Sequence, residues 1–310
     1  MRIAANFSIP ELEQQLHAQL PDAQWLTIPS EGPVKPFNAQ VLLTLPVGVS
    51  NLEEVINAAD GLEWIHIFGT GADSFPIQSI KNQMLTCSRG ATSTAIAEWV
   101  LAMILSYDKH LPSSWISNPP QAWNFADLQC LEDKTLGLIG FGAIGQAIAK
   151  RALSFDMTII AKVRRHRTSS IKGITFVEDL SKLLAKSDHI VLALPATAAT
   201  ERLIDATAFR SMKVSAHLIN VARASIIDHN ALKYALDHEQ LGCASLDVTE
   251  PEPLPEAHWL YQHEKVRLSP HISWYSPSAL QRISKTFIDN AVAFQQGKPL
   301  SGQIDKKSGY

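Results

Sequence analysis

The chain has 310 residues, 46% of them hydrophobic and 18% charged, with a formal net charge of −3 at neutral pH. That length suits two hydrophobic cores, the apolar content excludes general disorder, and the weak negative balance argues against nucleic acid or an anionic membrane as partner. The three cysteines, Cys87, Cys130 and Cys243, are widely spaced and form no C-x-x-C pair, so neither a disulfide framework nor a metal site is expected. No long apolar segment opens the chain, and its most hydrophobic helical stretch, Ala95 to Leu105, is short and contains Glu98. These features predict a soluble cytoplasmic protein.

In chain order, β-like runs fall at Ile3 to Ala5, Val41 to Leu45, Trp64 to Phe68 and Met84 to Cys87. Helical patterns at Pro10 to Leu20 and Asn51 to Ala59 separate some of them, so the first hundred residues read as a small α/β unit. Thr92 to His110 follows as one long helix, with Ser93 or Thr94 as candidate caps. Leu111 to Gln129 carries Pro112, Pro119, Pro120, Trp115 and Trp123 without periodicity, and loops of that length are usually functional. The alternation resumes with runs at Leu136 to Ile139, Met157 to Ala161, His189 to Leu194, His217 to Asn220, Ala244 to Leu246 and Val266 to Leu268. Helical stretches between most of them give the βα rhythm of a parallel, doubly wound sheet. A last helix, Pro277 to Gln296, ends at Gly297 and Pro299.

The run Leu136-Gly137-Leu138-Ile139 enters Gly140-Phe141-Gly142-Ala143-Ile144-Gly145 and then a helical stretch. A glycine triplet alone is weak evidence, but here it follows a strand and opens a helix. Gly140 suits the tight turn, Gly142 lets backbone approach a pyrophosphate, Gly145 lets helix and strand pack closely, and the first helical amides face the phosphates. At the end of the next strand an Asp or Glu would hold an adenosine ribose. The chain instead reads Val163-Arg164-Arg165-His166-Arg167. Arg164 can fork onto a 2′-phosphate and stack on adenine, with Arg165 or Arg167 as a second cation. NADP, as NADPH, is therefore the preferred cofactor expected, with NAD possible. A turn this far along the chain implies a discontinuous arrangement in which residues 1–100 and 278–310 form one domain around a dinucleotide domain of residues 101–277. Two helices are expected to cross between the lobes, with the catalytic cleft between them.

Three further segments follow: Asn220-Val221-Ala222-Arg223-Ala224, then Asp247-Val248-Thr249-Glu250-Pro251-Glu252-Pro253-Leu254-Pro255, then Ser269-Pro270-His271-Ile272. Each charged group follows a β-like run or its loop, so an arginine, a carboxylate and a histidine can converge at the crevice end of a doubly wound sheet. Singly, each could be a strand-end ion pair, a solvated loop residue or a core histidine.

Together with Gly69-Thr70-Gly71-Ala72-Asp73 and Ala97-Glu98, these segments closely resemble the D-isomer-specific 2-hydroxyacid dehydrogenases, over nearly the whole chain. The resemblance implies two doubly wound parallel-sheet domains, a Rossmann-type dinucleotide domain inserted into a smaller flavodoxin-like substrate domain. It also implies reduction of a small 2-keto acid of the glyoxylate or hydroxypyruvate kind to the D-2-hydroxy acid. Arg223 should then grip the substrate carboxylate and polarise the neighbouring carbonyl, and His271 should protonate the carbonyl oxygen. Glu252 should orient His271, with Glu250 as a nearby competitor. Thr70 and Gly71 should offer amides to the carboxylate, while Asp247 and the Val221 carbonyl should contact the nicotinamide carboxamide.

Two departures stand out. Arg223-Ala224-Ser225 replaces a common Arg-Gly-Gly, and Trp274 and Tyr275 follow His271 where smaller residues are common; they narrow the pocket, cover the nicotinamide or pack at the hinge. The Leu111 to Gln129 loop matches the region through which the family dimerises, so a homodimer through the dinucleotide domain is expected. A dinucleotide-sensing, corepressor-like binding protein with weak turnover is the alternative reading. A formate-dehydrogenase-like enzyme is a third, disfavoured by Glu252, where that subgroup carries an amide.

Overall fold

The computed structural model describes residues 1–73, 75–120, 123, 126–164 and 169–306. They form two compact units, one comprising Met1–Thr92 and the segment from Ser276 onward, the other Ser93–Tyr275. Among the described residues, no helix is long and apolar enough to cross a membrane.

The first unit contains β1 (Arg2–Ala5), α1 (Pro10–Gln19), β2 (Gln24–Thr27), β3 (Phe37–Asn38), β4 (Val41–Thr44), α2 (Leu52–Ala58), β5 (Ala59–Asp60), β6 (Trp64–Ile67) and β7 (Met84–Cys87). Its main sheet has the parallel order β2-β1-β4-β6-β7, and β3 and β5 form a separate two-stranded sheet. Setting that short pair aside, the order is the flavodoxin-like one, reversing between β1 and β4. All four residues of β4 and of β6 are buried, as strands covered on both faces must be, which is why they stand out as unbroken apolar runs. The edge strand β2 did not, because Gln24-Trp25-Leu26-Thr27 is largely exposed and has no alternation.

A polar chain inside this unit ties the sheet to its C-terminal helix. Trp64 Nε1 donates to the Thr86 hydroxyl at 2.8 Å, which lies 2.7 Å from His66 Nδ1. His66 Nε2 lies 3.1 Å from the Ser88 hydroxyl, and that hydroxyl donates to the Ile283 carbonyl at 3.4 Å. Because the Ser88 hydroxyl donates to the Ile283 carbonyl it can only accept from His66, so the His66 ring carries a proton on Nε2. Burial lowers its pKa to about 3. Between that value and the unfolded one the unfolded chain binds more protons, so stability is complete above about pH 6.5 and is lost as pH falls toward 3, by up to about 1.4 kcal/mol per pH unit. The urea midpoint is expected to drop between pH 7 and pH 5, with a shallower drop for His66→Gln.

The second unit opens with α3 (Ser93–Asp108) and continues through β8 (Thr135–Ile139), α4 (Ala143–Ala152), β9 (Thr158–Lys162), β10 (Ile174–Val177), α5 (Leu180–Lys186), β11 (His189–Leu192), α6 (Ala206–Arg210), β12 (His217–Asn220), α7 (His229–Asp237), β13 (Cys243–Leu246) and β14 (Val266–Leu268). The seven strands are parallel in the order β10-β9-β8-β11-β12-β13-β14. That is the dinucleotide-fold order, reversing between β8 and β11, with one extra strand at the edge. The last helix, α8 (Pro277–Gln295), belongs to the first unit and is capped by the Ser276 hydroxyl.

The division differs from the one expected near residue 100. Helix α3 goes whole to the second unit because Ile96, Ala97, Val100 and Ile104 share a core with Leu136 and Leu138 of β8 and Ile148 and Ala149 of α4. The base of the long loop after α3 is pinned by the Gln129 amide on the Asp108 carbonyl at 2.9 Å. Trp115 and Trp123 on that loop are 72% and 66% exposed.

Candidate active site

In a parallel sheet of this order, ligands sit beyond the C-terminal strand ends near the reversal point, and nearly every second-unit residue singled out from sequence lies there. At the end of β8, Gly140 has φ +99, and a Cβ would come 2.3 Å from the Ala193 carbonyl oxygen. A Cβ on Gly145 would come 2.4 Å from the Gly140 carbonyl oxygen. Both positions are closed to side chains by the fold itself. Gly142 is different, because a Cβ there would meet nothing within 4 Å. Internal packing gives no reason for glycine at that position, whereas a group outside the chain, lying against the backbone, does. Gly142 caps α4, so the amides of Ala143, Ile144 and Gly145 open a ten-residue helix with its positive end toward that space. Phe141 is buried edge-on against Phe176 and holds the turn down. This cradle fits the pyrophosphate of a dinucleotide.

Beyond β9, Val163 packs against the core and Arg164 is exposed. Neither residue is acidic, so nothing at these two positions repels a 2′-phosphate. Arg165 lies outside the described residues. Lys162 turns away from that role, its ammonium donating to the Glu178 carbonyl.

Arg223 follows β12 in extended conformation ahead of a 3-10 turn, Ala224–Ile226. The sequence reading assigned no role to Asn220, which shapes this loop. Fully buried, it accepts from the Ala222 amide at 3.0 Å and donates to the Arg223 carbonyl at 2.9 Å. An Asn closing a strand was the available signal, since its amide imitates a backbone turn. The guanidinium of the half-buried Arg223 donates to the Ala222 carbonyl at 2.6 Å. Val221, one residue beyond Asn220, is buried.

Of the two competing carboxylates, Glu252 meets the histidine: its Oε2 lies 2.9 Å from His271 Nδ1. Glu252 Oε1 accepts from the Thr249 amide at 3.0 Å, so the carboxylate is held from its own segment. The pair is partly exposed, 39% for His271 and 41% for Glu252, and both line a cavity of about 610 Å³ whose walls include Leu254, Tyr261 and Leu268. A carboxylate on Nδ1 leaves Nε2 as the nitrogen that can exchange a proton with a ligand. Asp247 is the first residue past β13 and is buried. Trp274 packs onto the core of the second unit, whereas Tyr275 is exposed.

Thr70 and Gly71 lie in the first unit, just past the C-terminal end of β6. The preceding Gly69 accepts from the Ser88 amide at 2.7 Å, which ties the turn to the neighbouring chain. Among the described residues neither the Thr70 nor the Gly71 amide finds an acceptor.

A phosphate-cradling turn on a seven-stranded dinucleotide sheet, with a carboxylate-paired histidine two strands beyond an arginine, defines a nicotinamide-dinucleotide oxidoreductase. The model of the D-isomer specific 2-hydroxyacid dehydrogenase NAD-binding domain matches residues 101–273. The chain is 34% identical to a glyoxylate reductase of Thermofilum pendens over 82% of its length and 78% of the relative's. It is 30% identical to a glycerate dehydrogenase of Methylorubrum extorquens, over 85% and 81% of the two chains. In fold, it matches a D-isomer specific 2-hydroxyacid dehydrogenase of Xanthobacter autotrophicus, crystallised with NADPH and MES, with a TM-score of 0.87 at 22% identity over 100% and 99% of the chains. The chain belongs to the D-isomer specific 2-hydroxyacid dehydrogenase family.

Proposed function

We propose that this protein is an NADPH-preferring reductase that converts a small 2-keto acid, glyoxylate or hydroxypyruvate, to the D-2-hydroxy acid. The observation that carries this reading is the 2.9 Å pairing of His271 Nδ1 with Glu252 at the sheet's ligand-facing edge. The Gly140–Gly145 turn would hold the pyrophosphate of a reduced nicotinamide dinucleotide, which would supply the hydride. His271 Nε2 gives its proton to the carbonyl oxygen that becomes the hydroxyl, and Glu252 stabilises the imidazolium before the transfer; in the reverse direction the neutral ring takes the hydroxyl proton. Arg223 holds the substrate carboxylate and draws electron density from the adjacent carbonyl. The Thr70 and Gly71 amides serve the same carboxylate, and the Val221 carbonyl and Asp247 serve the nicotinamide carboxamide. The glyoxylate reductase and glycerate dehydrogenase relatives support the substrate class. The exposed Trp115, Ile116 and Trp123 support a homodimer through the second unit, which sedimentation reads directly, and a cytoplasmic location belongs to the same reading.

The preference for NADPH rests on Arg164. Glyoxylate, hydroxypyruvate, pyruvate and bulkier 2-keto acids, each assayed with NADPH and NADH, test substrate and cofactor together. The expected result is the highest kcat/KM for one of the first two with NADPH. Arg164→Ala is expected to cut the NADPH:NADH ratio about tenfold, the scale of one charge-assisted hydrogen bond. An unchanged ratio removes Arg164 from the phosphate site. Tight dinucleotide binding without turnover on any acid favours the sensing protein.

A further inference from the structure

We infer that the buried contact between Asp108 and His189 is a latch that fixes the base of the loop Leu111 to Gln129, and that releasing it weakens the association of two copies of this chain. The second half rests on the homodimer reading. The first half stands on the second unit alone.

Asp108 is the last residue of α3, and its carboxylate turns inward. Its Oδ2 lies 2.9 Å from Nε2 of His189, the first residue of β11, and the two side chains are 3% and 1% exposed. Nδ1 of His189 finds no hydrogen-bond partner among the described residues, and neither does Nδ1 of His217 on the adjacent strand. The Asp108 carboxylate is therefore the polar contact that the His189 ring keeps in this interior, and removing either partner strands the other. Tyr107 stands beside the pair, its ring 4.8 Å from that of His217, and its hydroxyl donates to the Ser215 carbonyl at 3.1 Å. A Cβ on Gly242 would come 2.4 Å from that hydroxyl, so the space ahead of β13 is kept for the tyrosine. From β14, Arg267 donates to the Met103 and Ser106 carbonyls at 3.3 and 3.4 Å, which sets a cation at the negative end of the helix.

The opposite side of Asp108 holds the loop. Its carbonyl accepts the Gln129 amide at 2.9 Å, the Lys109 ammonium donates to the Gln129 carbonyl, and His110 Nε2 donates to the Asp127 carbonyl at 2.9 Å. The chain thus leaves α3 and returns to the residues it left from. Among them His110 has φ +50, the left-handed conformation on which helices commonly end with glycine. A histidine is strained there and stays only where its neighbours over-determine it. Upstream, Asp108 is held by His189. Downstream, the Leu111 amide donates to the Ser106 carbonyl at 2.8 Å, and the Ser106 hydroxyl donates to the Leu111 carbonyl at 3.0 Å. The turn that carries the exposed Trp115 is built on the same residue, since the Ser114 amide donates to the His110 carbonyl at 2.8 Å. With Asp108 released, the strained helix end can unwind, and the contacts to Asp127 and Gln129 are lost with it.

The test compares Asp108→Ala, which removes the carboxylate, with His189→Leu, which keeps bulk and removes the ring nitrogens. Tyr107→Phe serves as a control that weakens the same cluster and leaves the latch in place. Amide hydrogen exchange is read at Leu111 and Gln129 and, as a reference for global opening, at the core residues Leu138 and Ile190; sedimentation gives the dimer dissociation constant. In the first two variants exchange at Leu111 and Gln129 is expected to rise about tenfold beyond any rise at Leu138 and Ile190, and the dissociation constant about tenfold. In Tyr107→Phe the two sets of amides should move together. If Asp108→Ala does not fold, His189→Leu decides. Equal rises at all four amides in the latch variants mean a purely structural pair and overturn the inference. A raised loop exchange with an unchanged dissociation constant overturns its second half. A parent that sediments as a monomer at micromolar concentration overturns the homodimer reading and that second half together, while the exchange comparison still decides the latch.

Discussion

Replacing His271 with asparagine is expected to lower kcat for reduction by a factor of about 10² to 10⁴, the usual worth of a positioned proton donor, while NADPH affinity stays near that of the parent. The imidazole stands on the loop beyond β14, four strands along the sheet from the Gly140–Gly145 turn at the end of β8, so the substitution leaves the phosphate cradle in place. Asparagine keeps some hydrogen-bonding capacity toward Glu252 but has no proton to give at neutral pH. The loss should therefore fall on kcat, and it should be largest where the parent ring is protonated. A solvent isotope effect on the parent that disappears in the variant would locate the lost proton transfer. A variant with nearly full activity sinks the proposed mechanism.

Substitution of Arg223 is the second large effect. Arg223→Ala is expected to cost about 10² to 10³ in kcat/KM, with KM for the 2-keto acid rising and kcat falling together, because one guanidinium both holds the carboxylate and stabilises charge on the developing alkoxide. Arg223→Lys should recover only part of the loss. Lysine restores the charge but not the planar fork that grips a carboxylate at two points, and it cannot remake the guanidinium bond to the Ala222 carbonyl. Asn220 and the 3-10 turn keep the loop backbone in shape in either variant, so thermal stability should change little. Steady-state kinetics with the preferred acid checks both, and an Arg223→Ala enzyme with an unchanged KM would remove the carboxylate clamp from the reading.

What could be read before the fold was known divides along a physical line. Strands β4, β6, β8, β11 and β12 were visible because a parallel strand covered on both faces is a run of apolar residues, a property of four or five consecutive side chains. Strands β2 and β10 were not, since each sits at a sheet edge with partly or largely exposed residues and so carries little burial pattern. The boundary at Thr92 escaped for a related reason. Helix α3 looks the same whichever unit it joins, and only its packing against α4 and β8 assigns it.

The sequence by itself determined the chemistry available to this protein: a glycine turn between strand and helix, an arginine, carboxylates and a histidine at successive strand ends, and cations where a ribose-binding acid would stand. Those are local facts of residue type and spacing, written in segments of five to ten residues. Only the tertiary structure brought Glu252, which the family resemblance already preferred to Glu250, to within 2.9 Å of His271. It alone turned the Asp247 carboxylate beneath the His271 loop. Those bonds join residues 19 to 26 positions apart, and a parallel sheet makes such neighbours only by returning the chain through a crossover to the next strand.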